Sequence, residues 1–181
     1  MTSSPASPAS PNRNLKRFFV PVAIFALITA LAFSLANKDK MPDVSFTTID
    51  GKTMNTGTLD GKVVLVNFWA TDCPGCISEM PDLVKTHEKY HAQGFEVLAV
   101  SMPYDPIDQV RNYSKKNNLP FIITHDDNGA ISSKFQDVRV TPTSFLLDQQ
   151  GRVISKIVGE INFTTLHQLL DARLASTAKG S

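Results

Sequence analysis

With 181 residues the chain has room for one ordinary domain and little beside it. Its 18 Lys and Arg against 17 Asp and Glu leave no basic excess of the kind phosphate binding requires, which argues against nucleic acid as a partner. A composition 42% hydrophobic and 19% charged excludes a disordered chain, and two cysteines cannot build a disulfide scaffold.

The charge is unevenly placed. Residues 1–40 hold Arg13, Lys16, Arg17, Lys38 and Lys40 against Asp39, a net of +4, and residues 41–181 carry a net of −3. Residues 2–14 are rich in Ser, Pro and Ala and cannot bury apolar surface, so residues 1–14 are expected to be a disordered cytoplasmic tail. Phe18 to Ala36 follows without a charge, and as a helix it would be about 28 Å long against a bilayer core of roughly 30 Å. Pro21 is expected in the first turn, where its missing N–H costs little. Residues 15–36 are therefore read as a transmembrane signal-anchor. Arg13, Lys16 and Arg17 hold the tail in the cytoplasm, while Lys38 and Lys40 weaken that bias. Ser34-Leu35-Ala36 is a small-x-small sequence that a signal peptidase could cut, so a leader cleaved after Ala36 stays open beside a retained anchor. Either way residues 37–181 fall outside the cytoplasm, where disulfides persist.

The soluble part reads as α/β, with its core at about residues 42–175. Val44–Ile49 and Met54–Leu59 around Asp50-Gly51 predict a hairpin. Val63–Ala70 is a nearly continuous apolar run that suits a central strand buried on both faces. Residues 74–92 predict a helix, with Pro74 in its first turn, Ile77, Met80, Leu83, Val84 and His87 along one face, and Gly94 as its stop. Phe95–Ser101 is a second strand, completing a β–α–β unit. Asp105-Pro106 reads as an N-cap and N1 pair opening a helix to about Asn118. Phe121–Thr124 predicts a short strand and Gly129–Phe135 a short helix. Thr143–Asp148 and Val153–Val158 flank a polar turn as an antiparallel hairpin, Leu166, Leu169, Leu170 and Leu174 mark a closing helix, and residues 175–181 a frayed tail.

Cys73-Pro74-Gly75-Cys76 stands where the buried strand ends and the helix begins. Free N–H groups and the partial positive charge of a helix N-terminus stabilise a thiolate there, which makes Cys73 the expected attacking thiol. Cys76, one turn along and less exposed, suits a resolving thiol. A zinc site would need two further ligands, haem attachment would need His where Ile77 stands, and two inert buried thiols do not account for the strand–CxxC–helix setting. Thr141-Pro142, just ahead of a strand, is expected to hold a cis bond facing the CxxC and to present the Thr141 backbone to an extended substrate. Glu79, three residues after Cys76, could exchange the proton of that thiol, or could be an ordinary first-turn acid favoured by the helix dipole. His87-Glu88-Lys89-Tyr90-His91 matches the HExxH pattern of zinc proteases, but no third ligand is evident in the sequence and helix-surface polar residues are the preferred explanation.

Taken together, VVLVNFWAT (63–71), CPGC (73–76), EMP (79–81), GFEVLAVS (94–101) and VTPTSFLLD (140–148) resemble the TlpA/ResA/CcmG group of thioredoxin-fold proteins, over about residues 42–175. The resemblance implies a thioredoxin-like fold with a central mixed sheet, flanking helices and an N-terminal hairpin extension, following one transmembrane helix. It implies a membrane-tethered thiol–disulfide oxidoreductase of the bacterial inner membrane, its domain facing the periplasm, with Cys73 as nucleophile, Cys76 as resolving thiol, Glu79 as active-site acid and Pro142 as cis-proline. Asn67 occupies the strand position where thioredoxin has a buried Asp, which raises the weight on Glu79. Asp72 departs from the pattern, since Trp usually precedes the first cysteine. A carboxylate there should raise the Cys73 pKa and make the pair more reducing, so Asp72 joins Pro74 and Gly75 among the residues that tune it.

The leading expectation is a reductase of disulfides in client proteins such as apocytochrome c or copper-site assembly proteins. A membrane electron donor would recycle the cysteines, with no cofactor besides the pair and no resident metal. A disulfide oxidase or isomerase shares the same motif. A peroxidase of this architecture would need a Pro-x-x-x-Thr/Ser-x-x-Cys arrangement that is absent around Cys73. A thioredoxin-fold copper chaperone is the alternative from another class, but it pairs CxxxC with a distant His, and the first His after Pro142 is His167.

Overall fold

The computed structural model describes residues 13–36 and 40–177, and divides into two units, residues 1–39 and 40–181. In the first unit α1 (Arg13–Ala36) is a 24-residue helix with Pro21 inside it. Arg13 and Asn14, expected in the tail, belong to the helix, because Arg, Leu and Lys at 13–17 continue it backwards. Pro21 is consequently interior rather than in the first turn. Val22, Phe25, Leu27 and Leu31 are all exposed along it. Among the described residues no helix is long and apolar enough to cross a membrane; in α1 the described side chains are those of residues 20–31. The rest of the expected tail, residues 1–12, lies outside the described residues.

The second unit is built on Val63–Trp69, where seven consecutive residues are buried. Ahead of it, β1 (Ser45–Thr47) pairs antiparallel with β2 (Thr53–Asn55) as the expected hairpin. Its second strand is shorter than the sequence suggests: the Asn55 side chain accepts from the Gly57 N–H (2.7 Å) and starts a 3-10 turn over Thr56–Leu59, which plugs Leu59 into the core. Then come β3 (Val63–Trp69), α2 (Pro74–Tyr90), β4 (Phe95–Ser101), α3 (Ile107–Lys116), β5 (Ile122–His125), α4 (Ala130–Lys134), β6 (Thr143–Leu147), β7 (Val153–Val158) and α5 (Phe163–Thr177). The sheet order is β5-β4-β3-β6-β7, with β3, β4 and β5 parallel and β6 and β7 antiparallel to their neighbours.

Alternation along β3 divides the core in two. Val63, Leu65 and Trp69 face one layer with Met80 and Leu83 of α2 and Leu166, Leu170 and Leu174 of α5. Val64, Val66 and Phe68 face the other, with Phe135, Phe145 and the hairpin's Phe46. Phe68, Phe135 and Phe145 meet there at tilted or edge-on angles, with ring centroids 5.5–6.1 Å apart. After α2 the chain makes a short 3-10 turn and stops at Gly94, whose φ of 96° suits glycine.

Two further boundaries differ from the sequence expectation. Pro106, not Asp105, is the N-cap of α3, because the Asp105 carboxylate turns inward onto Thr71. α5 runs on through Thr177, so residues 175–177 are helical rather than frayed. The β6–β7 turn is tied by Asp148, whose Oδ1 accepts from the N–H groups of Gln150 and Arg152 while its Oδ2 pairs with the Arg152 guanidinium.

Candidate active site

β3 ends at Trp69, and five residues later Pro74 opens α2, so the Thr71-Asp72-Cys73 loop sits at the C-terminal edge of the sheet. Asp105, 2% exposed just past β4, fixes that loop by accepting from the Thr71 N–H (2.7 Å) and from its hydroxyl. Neither its burial nor its partner shows in the sequence pattern.

Cys73 and Cys76 are joined as a disulfide, with Cα atoms 5.3 Å apart. Cys73 is the N-cap of α2, half-buried, and its sulfur accepts from the Cys76 N–H at 3.2 Å. Cys76 is fully buried. One sulfur can therefore meet a partner and the other can meet only the first. In the dithiol state the Cys76 N–H and the helix N-terminus would favour a thiolate at Cys73 over one at Cys76.

Behind the disulfide lies a buried polar group. Asn67, the one polar residue of β3, donates through Nδ2 to Glu79 Oε1 and to the Ser144 hydroxyl on β6, each at 3.0 Å. The second carboxyl oxygen, Oε2, accepts from the Ile161 N–H at 3.1 Å. Glu79 is 4% exposed, so it is not the solvated first-turn acid that its spacing alone allows. Burial raises its pKa above the usual 4.5; the hydrogen bonds from Ile161 and Asn67 oppose that rise, and the charge of Glu160 adds to it.

The segment 159–161 ties these parts together. The Gly159 N–H donates to the Pro142 carbonyl (2.9 Å), the Ile161 N–H reaches Glu79, and between them Glu160 lays its side chain on the motif. A Cβ added at Gly75 would stand 3.0 Å from Glu160 Oε1 and 3.3 Å from its Cγ. The sequence pattern marks neither Glu160 nor Ile161, because one reaches the motif from eighty-five residues away and the other acts through a backbone N–H. The only signal was an acid following a glycine at the end of a strand.

The Thr141–Pro142 bond is cis, as the layout leads one to expect. Thr143 pairs with Phe68, so Thr141 and Pro142 continue β6 backwards past the last paired position, at the edge where β3 leads into the CxxC. Around it Tyr104 and Val140 are exposed, and the Tyr104 hydroxyl lies 3.3 Å from Thr141 Oγ1. Asp72 is exposed beside Cys73. His167 is engaged elsewhere, 2.9 Å from Thr86 Oγ1. Thr86 is ten residues along α2 from Cys76, about 15 Å, which keeps that imidazole from the sulfurs.

Residues 36–170 match the sequence profile of the Redoxin family. The thiol-disulfide oxidoreductase ResA of Bacillus cereus is 34% identical over 153 residues, covering 78% of this chain and 87% of that protein. A solved candidate thioredoxin from Neisseria meningitidis superposes with a TM-score of 0.70 at 42% identity, covering 75% of this chain and 90% of that one. A thiol:disulfide interchange protein of the thioredoxin family from Chlorobium tepidum gives 0.69 at 28% identity over 75% and 95%.

A raised carboxyl pKa means that the folded state holds the Glu79 proton more tightly than the unfolded state does. As pH rises from the ordinary 4.5 upwards, folding stability is therefore lost through this group. Glu79→Gln lacks that titration, so urea unfolding from acid to neutral pH should show the wild type losing stability relative to the variant; the opposite trend would contradict the raised pKa.

Proposed function

The chain belongs to the Redoxin family, and from that premise we propose that it is an extracytoplasmic thiol–disulfide oxidoreductase that reduces disulfides in client proteins through Cys73 and Cys76. The half-buried, helix-capping Cys73 backed by a fully buried Cys76 carries the reading. The Cys73 thiolate attacks one sulfur of a client disulfide; a mixed disulfide forms and the other client sulfur leaves as a thiolate. Cys76, once deprotonated, attacks Cys73 Sγ, restoring the internal disulfide and releasing the client's second sulfur. Two electrons pass from the pair to the client, and a dithiol donor at the membrane returns them. The pair needs no further cofactor.

Glu79 takes the Cys76 proton in this scheme. It lies one turn along α2 from Cys76, is buried with it, and has a pKa displaced toward that of a thiol. Thr141 and Pro142 receive the client main chain, and exposed Tyr104 and Val140 give its side chains an apolar surface. Apocytochrome c and copper-site assembly proteins are the client classes the resemblance implies. Asp72, which has no basic partner among the described residues, opposes negative charge on Cys73. Together with Glu160 over Gly75, it makes the dithiol a stronger reductant.

We further propose that α1 is a retained anchor in the bacterial inner membrane, the domain facing the periplasm. The uncharged run from Phe18 to Ala36 and the exposed apolar side chains of the helix support it.

The midpoint potential of the pair in glutathione and dithiothreitol buffers should fall at or below about −250 mV, and rise in Asp72→Asn; a value near roughly −120 mV would make the protein an oxidase, and an unmoved Asp72→Asn would remove that residue's role. In single-turnover reduction of a model disulfide, Glu79→Gln should slow release of the mixed disulfide by about 10²-fold and flatten its pH profile, and an unchanged profile would clear Glu79 of proton transfer. Expressed in a bacterium, the full chain should stay with membranes through alkaline extraction; a mature N-terminus at Asn37 would replace the anchor with a cleaved leader.

A further inference from the structure

The HExxH stretch, left without a third ligand by its sequence, acquires one from the fold. His87 stands in the last turn of α2 and His91 caps that helix, and the two rings lie side by side with centroids 4.6 Å apart. The short turn at 91–94 brings Glu96, second residue of β4, back against both. His87 Nε2 lies 2.9 Å from Glu96 Oε1 and His91 Nδ1 lies 3.6 Å from Glu96 Oε2. His87 is 4% exposed and Glu96 5%, so the sequence expectation of polar residues on a helix surface fails for His87. Glu88, between the histidines, is exposed.

We propose that His87, His91 and Glu96 form a binding site for a divalent transition-metal ion of the zinc class. The candidate donor atoms all lie within 4.8 Å of one another. A tetrahedral ion with bonds of about 2.0–2.1 Å holds its ligands roughly 3.3 Å apart, and each imidazole nitrogen already lies near that distance from one oxygen of the Glu96 carboxylate, His87 at 2.9 Å from Oε1 and His91 at 3.6 Å from Oε2. Two imidazoles and one carboxylate form a donor set that zinc accepts, with a fourth position left for water. The outer contacts are in place as well. The Val97 N–H donates to Glu96 Oε1 at 3.1 Å and orients the carboxylate, and the Phe121 ring packs edge-on against His87. The half-exposed His91 side chain supplies the way in from solvent. The Lys62 ammonium, 3.2 Å from Glu96 Oε2, already holds a positive charge there; its side chain is 40% exposed and can swing out as the ion enters.

The site is remote from the redox chemistry. His87 is fourteen residues along α2 from Cys73, about 21 Å. Its ligands come from the end of α2 and the start of β4, so a bound ion would clip the helix to the sheet on the side away from the clients.

The test is zinc titration of the full chain in detergent, with Cys73–Cys76 kept oxidised so that no thiolate competes. One zinc per chain should bind and raise the melting temperature. His91→Ala, at a half-exposed position, and the near-isosteric Glu96→Gln should each keep the fold, measured by Trp69 fluorescence, yet bind at least about tenfold more weakly, since even outer-shell losses cost that much. Co²⁺ in place of zinc should give the visible absorption of a four-coordinate ion, and that absorption should disappear in His91→Ala. The proposal is overturned if the oxidised wild type takes up no zinc saturably, or if it binds zinc as tightly after His91→Ala as before.

Discussion

β3 and β6 run in opposite directions, so the end of one lies beside the beginning of the other. The arrangement of the site follows from that polarity. Whatever comes after Trp69 and whatever comes before Thr143 must share one edge of the sheet, and the chain places Cys73 on the first and Pro142 on the second. The same polarity sets Ser144 against Asn67 across the strands, so a hydroxyl is at hand for the only amide in an otherwise apolar strand. β3 can hold this position because all its residues are buried, with helices on one face and the aromatic cluster on the other.

The Glu79 carboxyl joins three parts of the domain that are far apart in the chain. It hangs from α2, receives Asn67 from the central strand, and receives a main-chain N–H from the segment before α5. A buried acid held by two donors and opposed by its surroundings is costly to ionise, yet it cannot be dropped without leaving those donors unpaired. Such a group is held in place by its donors while burial keeps it reluctant to ionise.

Much of this was legible in the residues themselves. The apolar run of β3, Pro74 at the head of α2 and the CxxC between them mark the strand–helix junction by period and punctuation alone, and the Thr-Pro before β6 marks the opposite side. What could not be read depends on single side chains that bond outside the periodic pattern, to backbone or to another element. Asp105 looks like a helix cap until Thr71, thirty-four residues earlier, is seen to need its carboxylate. Met54–Leu59 carries a strand-like pattern, but the short Asn55 side chain bends the backbone into a turn. His87 and His91 read as surface residues because their partner, Glu96, is supplied by the next strand rather than by the helix.

Gly75 has a consequence beyond its fit in the motif. Because it lacks a side chain, the carboxylate of Glu160 can settle against the backbone between the two cysteines. A side chain at 75 would meet that carboxylate at about van der Waals contact or closer, so the exposed Glu160 side chain would have to shift to make room for it. Positions 75 and 160, eighty-five residues apart, thus share one small volume beside the disulfide, and the size of the first bounds where the carboxylate of the second can lie.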